Sequence, residues 1–167
     1  MTDFIRGLVA GTVKVSPKVA WWPSHLRGLL RHLHATQVRT PEATIGVIED
    51  LVKGAREWET LVPKPAKQGL MIEHVRLETA LVDASRKNDE KMIDQIGRKL
   101  FDNATEIAAV MGIAVVEFPE EIFRRLLRDH VGLYAMSVRR KIEGSREANL
   151  KLEGNTLQLA AFTAEWF

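Results

Sequence analysis

The chain of 167 residues contains no cysteine. This absence excludes a disulfide framework, a thiolate metal ligand and a cysteine nucleophile, and it makes a reducing compartment harmless to the protein. Neither sign of charge dominates, because 24 lysines and arginines are matched by 22 aspartates and glutamates, for a formal net charge of +2. A balance this even argues against a partner that is bound mainly through charge, such as a nucleic acid.

Long apolar runs are also missing. No segment approaches the roughly 18 consecutive apolar residues that indicate a membrane-spanning helix, so we expect no membrane partner. The first residues include Asp3, Arg6 and Lys14, and these charges do not fit the pattern of a secretory signal peptide. We therefore expect a soluble, cytoplasmic protein.

Capping residues and helix breakers divide the remainder into amphipathic segments. Pro41 and Pro119 fit first helical positions, Ser24 and Ser145 fit caps, and Gly112 and Gly144 fit helix ends. The predicted helices cover approximately residues 24–38, 41–60, 66–86, 89–112, 119–144 and 145–167. The sequence thus predicts an all-α, single-domain antiparallel bundle of about six helices over residues 24–167. Residues 1–23 form an N-terminal arm of uncertain structure, either wrapping the bundle with Trp21 and Trp22 as anchors or forming a short extra helix.

Four of these helices interrupt their apolar stripe with one polar residue. The interruptions are His74, Asn103, His130 and Asn155. Counted from the shared turns at about 1.5 Å per residue, their depths in the bundle differ by roughly 3 to 6 Å. Since a buried polar group without a partner costs about 1 to 3 kcal/mol, these residues are expected to satisfy each other or a bound species.

Such a layer has two interpretations. In the first, it is a structural hydrogen-bond network that sets the register of a non-catalytic interaction or oligomerisation module. In the second, it binds a divalent metal ion or a small polar ligand. The candidate metal ligands are His74, His130, His34, Glu78 and Glu106, and imidazole with carboxylate suits iron, zinc, nickel or manganese. Asn103, Asn155 and Tyr134 are the candidate ligand-binding residues beside them.

Two family resemblances support a helical bundle. "HVRLE", residues 74–78, resembles the His-x-x-x-Glu element of hemerythrin-like bundles, whose companion His-x-x-x-His is replaced here by His130 and Tyr134. "LMIEHV", "LFDNATEIAAVM" and "LLRDHV", within residues 70–138, resemble segments of small uncharacterised prokaryotic helical-bundle proteins. That resemblance implies a helical fold and carries no activity with it.

Partners and activity are less defined by the sequence. The apolar C-terminal segment "LQLAAFTAEWF" fits a core helix, and any part of it left exposed would favour a homodimer. The arginines of the fifth predicted helix are not interleaved with aromatic residues, so nucleic-acid binding is not predicted. No glycine-rich phosphate loop or nucleophile elbow occurs, and whether the protein is an enzyme is left open.

Overall fold

The structure is a computed structural model that describes residues 17–37, 41–61, 69–139 and 146–166. Over these residues it contains helices and no strands, which confirms the predicted all-α bundle. The helices, in chain order, are α1 Pro17–Gln37, α2 Pro41–Leu61, α3 Leu70–Arg86, α4 Glu90–Ala114, α5 Glu120–Arg139 and α6 Arg146–Trp166.

Helix α1 begins earlier than predicted. Its start at Pro17 instead of Ser24 places residues 17–23 of the predicted arm in the helix, with Pro23 in its interior. An interior proline costs a helix about 3 kcal/mol, because its ring removes one backbone hydrogen bond and crowds the preceding turn. Trp21 and Trp22 are both buried in the core, and burial of such large side chains offsets that cost. Residues 1–16 of the arm lie outside the described part of the chain.

Other helix boundaries follow local chemistry. Helix α3 begins at Leu70, about four residues after its predicted start, because Gly69 precedes it with a φ of 91°. Glycine adopts this left-handed conformation without steric cost. The start of α4 agrees with the prediction, since the Asp89 side chain accepts a hydrogen bond from the Met92 backbone N–H, as N-cap residues do. The predicted cap Ser145 and the predicted helix end Gly144 lie outside the described residues.

The helices close into a ring. Each helix packs against the next one along the chain, and α1 also packs against α6. Short connections make sequential helices antiparallel neighbours. Inside this ring, α3 contacts both α1 and α5 in addition to its sequential neighbours. The middle of the bundle is therefore lined by side chains from α1, α3 and α5.

The core between the helices is rich in aliphatic and aromatic side chains. Trp22, Phe123 and Tyr134 are among its largest fully buried members. None of the helices in the described ranges combines the length and apolar character that a membrane crossing requires.

Candidate metal centre

Four buried polar side chains meet where α1, α3 and α5 face each other. They are His25 from α1, His74 and Glu78 from α3, and His130 from α5. We refer to this group as the tetrad. Residues four apart on a helix lie on one face, so α3 presents His74 and Glu78 side by side, while α1 and α5 each contribute one imidazole.

The Glu78 carboxylate lies between the three imidazoles. Its Oε2 is 3.0 Å from Nε2 of His25, and its Oε1 is 3.4 Å from Nε2 of His74 and 3.3 Å from Nε2 of His130. With one ligand atom taken from each side chain, all four atoms lie within 4.8 Å of one another. All three imidazoles therefore direct the same ring nitrogen towards one carboxylate.

The three rings form a nearly equilateral triangle. Their centroids are 6.3 Å apart for His25 and His74, 5.9 Å for His25 and His130, and 6.2 Å for His74 and His130. Despite the short distances, the three Nε2 atoms and both carboxylate oxygens lack aligned hydrogen-bond partners. The three Nε2 atoms thus lie at ion-pair distance from one carboxylate, without aligned hydrogen bonds to it.

Burial makes this arrangement costly. The side chains of all four tetrad residues are completely shielded from solvent. A buried polar atom without a hydrogen bond costs about 1 to 3 kcal/mol, and more if it is charged. The three Nε2 atoms and the two Glu78 oxygens are five such atoms in one cluster, and a cation bound between them would offset this cost.

Neighbouring histidines more than offset the effect of burial on the pKa of Glu78. Burial by itself raises the pKa of the Glu78 carboxyl, but the charges of His25 and His74 and the proximity of His130 outweigh it and hold that pKa well below its usual value. Glu78 is thus an anion at neutral pH, which suits a ligand for a cation.

The histidines respond in opposite directions. Burial lowers the pKa of His74, but the adjacent Glu78 carboxylate more than offsets this effect, so the pKa of His74 is raised. At His130 burial is the dominant effect and the pKa is lowered, although Glu78 opposes the change. The cluster thus favours a proton on His74 and a neutral His130.

Asn103 on α4 fixes the tautomer of neutral His74. Its Nδ2 donates to the Leu70 carbonyl at 3.0 Å, which leaves Oδ1 as the atom 2.8 Å from Nδ1 of His74. Since Oδ1 can only accept, Nδ1 of His74 must donate. When His74 is neutral, its Nε2 therefore has a free lone pair directed at the tetrad, which is how metal-binding histidines are commonly oriented.

Aromatic side chains enclose the other members. Trp21 stacks on His25 with ring centroids 4.4 Å apart, and Trp22 packs edge-on against His130 at 6.2 Å. The Trp22 indole N–H donates to the Thr163 hydroxyl on α6 at 2.8 Å. Tyr134 donates a long hydrogen bond of 3.4 Å to the backbone carbonyl of Glu78. The phenol therefore contacts the backbone of the tetrad's carboxylate residue.

The structure brings some predicted site residues together and leaves others apart. Of the candidate metal ligands, His74, His130 and Glu78 lie in the tetrad, and Glu106 is exposed on α4. The His34 side chain lies outside the described part. Of the candidate ligand-binding residues, Asn103 and Tyr134 contact the tetrad as above. Asn155 instead donates to the Leu126 carbonyl on α5 at 3.0 Å.

His25 was not among the predicted ligands. Treating Ser24 as a helix cap placed His25 at the first turn, where a side chain has no defined apolar face. In the structure it lies within α1, on the same stripe as Leu29 and His32, which are also buried. The spacing i, i+4, i+7 is the available sequence signal, and an earlier helix start would have revealed it. His32 lies outside the tetrad, and burial lowers its pKa.

Comparison with protein-family models, curated proteins and solved structures gave no match to this chain. The fold and the tetrad define the protein as a helical bundle with a buried cluster of three histidines and one glutamate that could hold a metal ion.

Proposed function

We propose that the protein binds one divalent transition-metal ion in the tetrad. The observation that carries this proposal is the convergence of three imidazole nitrogens and a carboxylate, buried and without aligned hydrogen bonds, from three different helices. A purely structural network in a bundle core would be expected to align hydrogen bonds between these atoms, which lie within ion-pair distance but lack such bonds.

Distances between the donor atoms fit a metal of ordinary size. A tetrahedral ion with metal–ligand bonds of about 2.0 to 2.1 Å separates its ligand atoms by about 3.4 Å. The separations of Glu78 oxygens from the three Nε2 atoms are 3.0, 3.4 and 3.3 Å. All four ligand atoms lie within 4.8 Å of one another, so binding would draw the more widely spaced of them closer together.

The donor set narrows the choice of metal. Three imidazoles and one carboxylate suit zinc, iron, nickel or manganese, whereas calcium and magnesium prefer oxygen ligands only. Bound there, such an ion would supply a Lewis acid in a site enclosed by aromatic side chains. The residues of the chain would contribute the charge of Glu78 and, through Asn103, the orientation of His74.

Elemental analysis tests the proposal. Protein purified without an affinity tag or chelator is expected to carry, or to take up from added Zn²⁺, Fe²⁺, Ni²⁺ or Mn²⁺, about one ion per chain. His25→Gln, His74→Gln and His130→Gln variants should each lose it. His32→Gln is the matched control, because His32 is equally buried on α1 but lies outside the tetrad. Absence of metal in the wild type after all four incubations would refute the proposal.

The alternative expected from the sequence, an interaction module that forms a homodimer, stays a prediction. The observation in its favour is a set of exposed apolar side chains at the α4–α5 connection: Ile113, Val116 and Ile122. Exposed apolar groups of this kind are common at association surfaces. Light scattering coupled to size exclusion tests it: a dimer dissociated by Val116→Asp would support the module, and a monomer at all concentrations would exclude a homodimer.

A further inference from the structure

The four tetrad residues differ in how completely other residues separate them from the surface. Fully or almost fully buried residues cover three of its members: Asn103 contacts His74, Tyr134 contacts the backbone of Glu78, and Trp22 packs on His130. His25 differs, because it lines a cleft of about 250 Å³ between α1 and α2. The cleft thus leads from the surface to the residue that carries one tetrad ligand, whose side chain is itself shielded from solvent.

The Trp21 indole separates this cleft from the centre. It lines the cleft and stacks on the His25 imidazole at 4.4 Å, with an angle of 12° between the planes. Its other neighbours include Gly54 of α2, where a Cβ atom would lie 3.3 Å from the indole nitrogen. Trp21 therefore contacts Gly54 on one side and His25 on another, and the missing side chain at position 54 permits the close contact with α2.

The mouth of the cleft is polar and carries both signs of charge. Asp50 and Glu57 provide carboxylates, and Arg31 and Lys53 provide cations, all exposed to solvent. A hydrated cation meets no barrier of like charge here, since the two signs are balanced and the carboxylates offer oxygen atoms that exchange with its water. Further in, the lining changes to Trp21 and His25.

We propose that the cleft between α1 and α2 is the entrance through which a hydrated divalent cation reaches the tetrad, and that the Trp21 indole is its gate. This inference rests on the metal-binding function proposed above. Displacement of the indole from His25 opens the path to the Nε2 atoms, and its return over His25 closes the site to water. A Cβ atom at position 54 would crowd the indole and so restrict that displacement.

A gate makes a kinetic prediction distinct from that of a ligand. A change in the gate alters the rates of metal uptake and release by the same factor and leaves the dissociation constant unchanged. The reason is that it alters the free-energy barrier between the free and the metal-bound protein and leaves the free energies of those two states as they were. Gly54→Ala adds a methyl group against the indole and is expected to hold it in place. Gly46→Ala is the matched control on α2, because a Cβ atom at Gly46 would contact nothing within 4 Å.

The experiment uses Co²⁺ as the probe. Uptake is followed by stopped-flow absorbance of the bound ion, and release by its loss in excess EDTA. We expect Gly54→Ala to slow both rates by about fivefold, the effect of an added barrier of ~1 kcal/mol, while Gly46→Ala matches the wild type. Trp21→Phe, which retains an aromatic ring over His25 but a smaller one, should accelerate both.

Two outcomes overturn the gate. Equal rates in wild type, Gly54→Ala and Trp21→Phe would show that metal enters elsewhere, with the metal-binding function intact. A change in release alone, with a changed dissociation constant, would make Trp21 a support for His25 and not a gate. If the wild type takes up neither Co²⁺ nor any of the four metals named above, the proposed function and the gate both fail.

Discussion

Glu78→Gln, studied in metal-free protein, tests the charge balance of the tetrad. The substitution keeps the shape of the side chain and removes the only carboxylate among three buried imidazoles at 3.0 to 3.4 Å. Removing one partner of a buried ion pair typically costs about 3 to 5 kcal/mol, because the remaining charge is left uncompensated. The loss should therefore depend on whether His74 carries its proton.

The pH dependence follows from the two pKa shifts. The pKa of Glu78 lies well below its usual value of 4.5, so its contribution to stability is present above about pH 4.5 and is lost as pH falls through the pKa in the folded protein. The pKa of His74 is raised above its usual value of 6.5, so its contribution is present below about pH 6.5 and is lost as pH rises through the raised pKa. Both contributions coexist between about pH 4.5 and 6.5.

Urea unfolding in EDTA at pH 5.5 and pH 8.5 measures this difference. We expect Glu78→Gln to lower the free energy of unfolding by about 3 to 5 kcal/mol at pH 5.5. The loss should become smaller at pH 8.5, and fall towards about 1 to 2 kcal/mol once the pH exceeds the raised pKa of His74. Glu73→Gln is the control, since Glu73 is exposed on the same helix. Equal losses at the two pH values would refute the assigned charges.

Three further predictions concern the metal and its surroundings. Asn103→Leu frees Nδ1 of His74 and should weaken metal binding by about 10- to 100-fold by calorimetry, with the stoichiometry unchanged. Metal affinity should fall as pH is lowered through the raised pKa of His74, because the ion must displace that proton. Saturating metal, at about 100 times the dissociation constant, should stabilise the fold by about 2.7 kcal/mol in urea unfolding.

Each of these three predictions can be contradicted by a specific experimental result. Asn155→Leu is the control for Asn103→Leu, because Asn155 bonds to the Leu126 carbonyl; equal effects of the two variants would remove the orienting role of Asn103. Affinity independent of pH between 6 and 8 would contradict a proton on His74. Metal that stabilises the wild type and a His74→Gln, His130→Gln double variant equally would show that it binds outside the tetrad.

The helical fold was predictable because periodicity and capping act locally. Asp89 and Pro119 mark helix starts through their own backbone chemistry, and α4 and α5 begin next to them. The start of α1 was mispredicted because Pro23 and Ser24 indicate a boundary locally, whereas the burial of Trp21 and Trp22 depends on helices distant in the sequence. Tertiary packing of this kind outweighs local preference.

The site was partly predictable for the same reason. His74 and His130 stand out because each interrupts an apolar stripe of its own helix, and Glu78 follows His74 by one turn. Spacing gives no information on which face of one helix meets another, so the exposure of Glu106 and the separate hydrogen bond of Asn155 could not be foreseen. His25 was missed through the error in the start of α1, which is local in origin.

The contact between α1 and α6 has a consequence for the order of folding. Ligands at positions 25, 74 and 130 are far apart along the chain, and bringing such distant segments together costs loop-closure entropy before any contact repays it. The Trp22 indole beside His130 is held by Thr163 of α6, so α1 is fully anchored only when the last helix has docked. Antiparallel pairs such as α3 with α4 can form from neighbouring residues, whereas we expect the tetrad to assemble late, when the ring of helices closes.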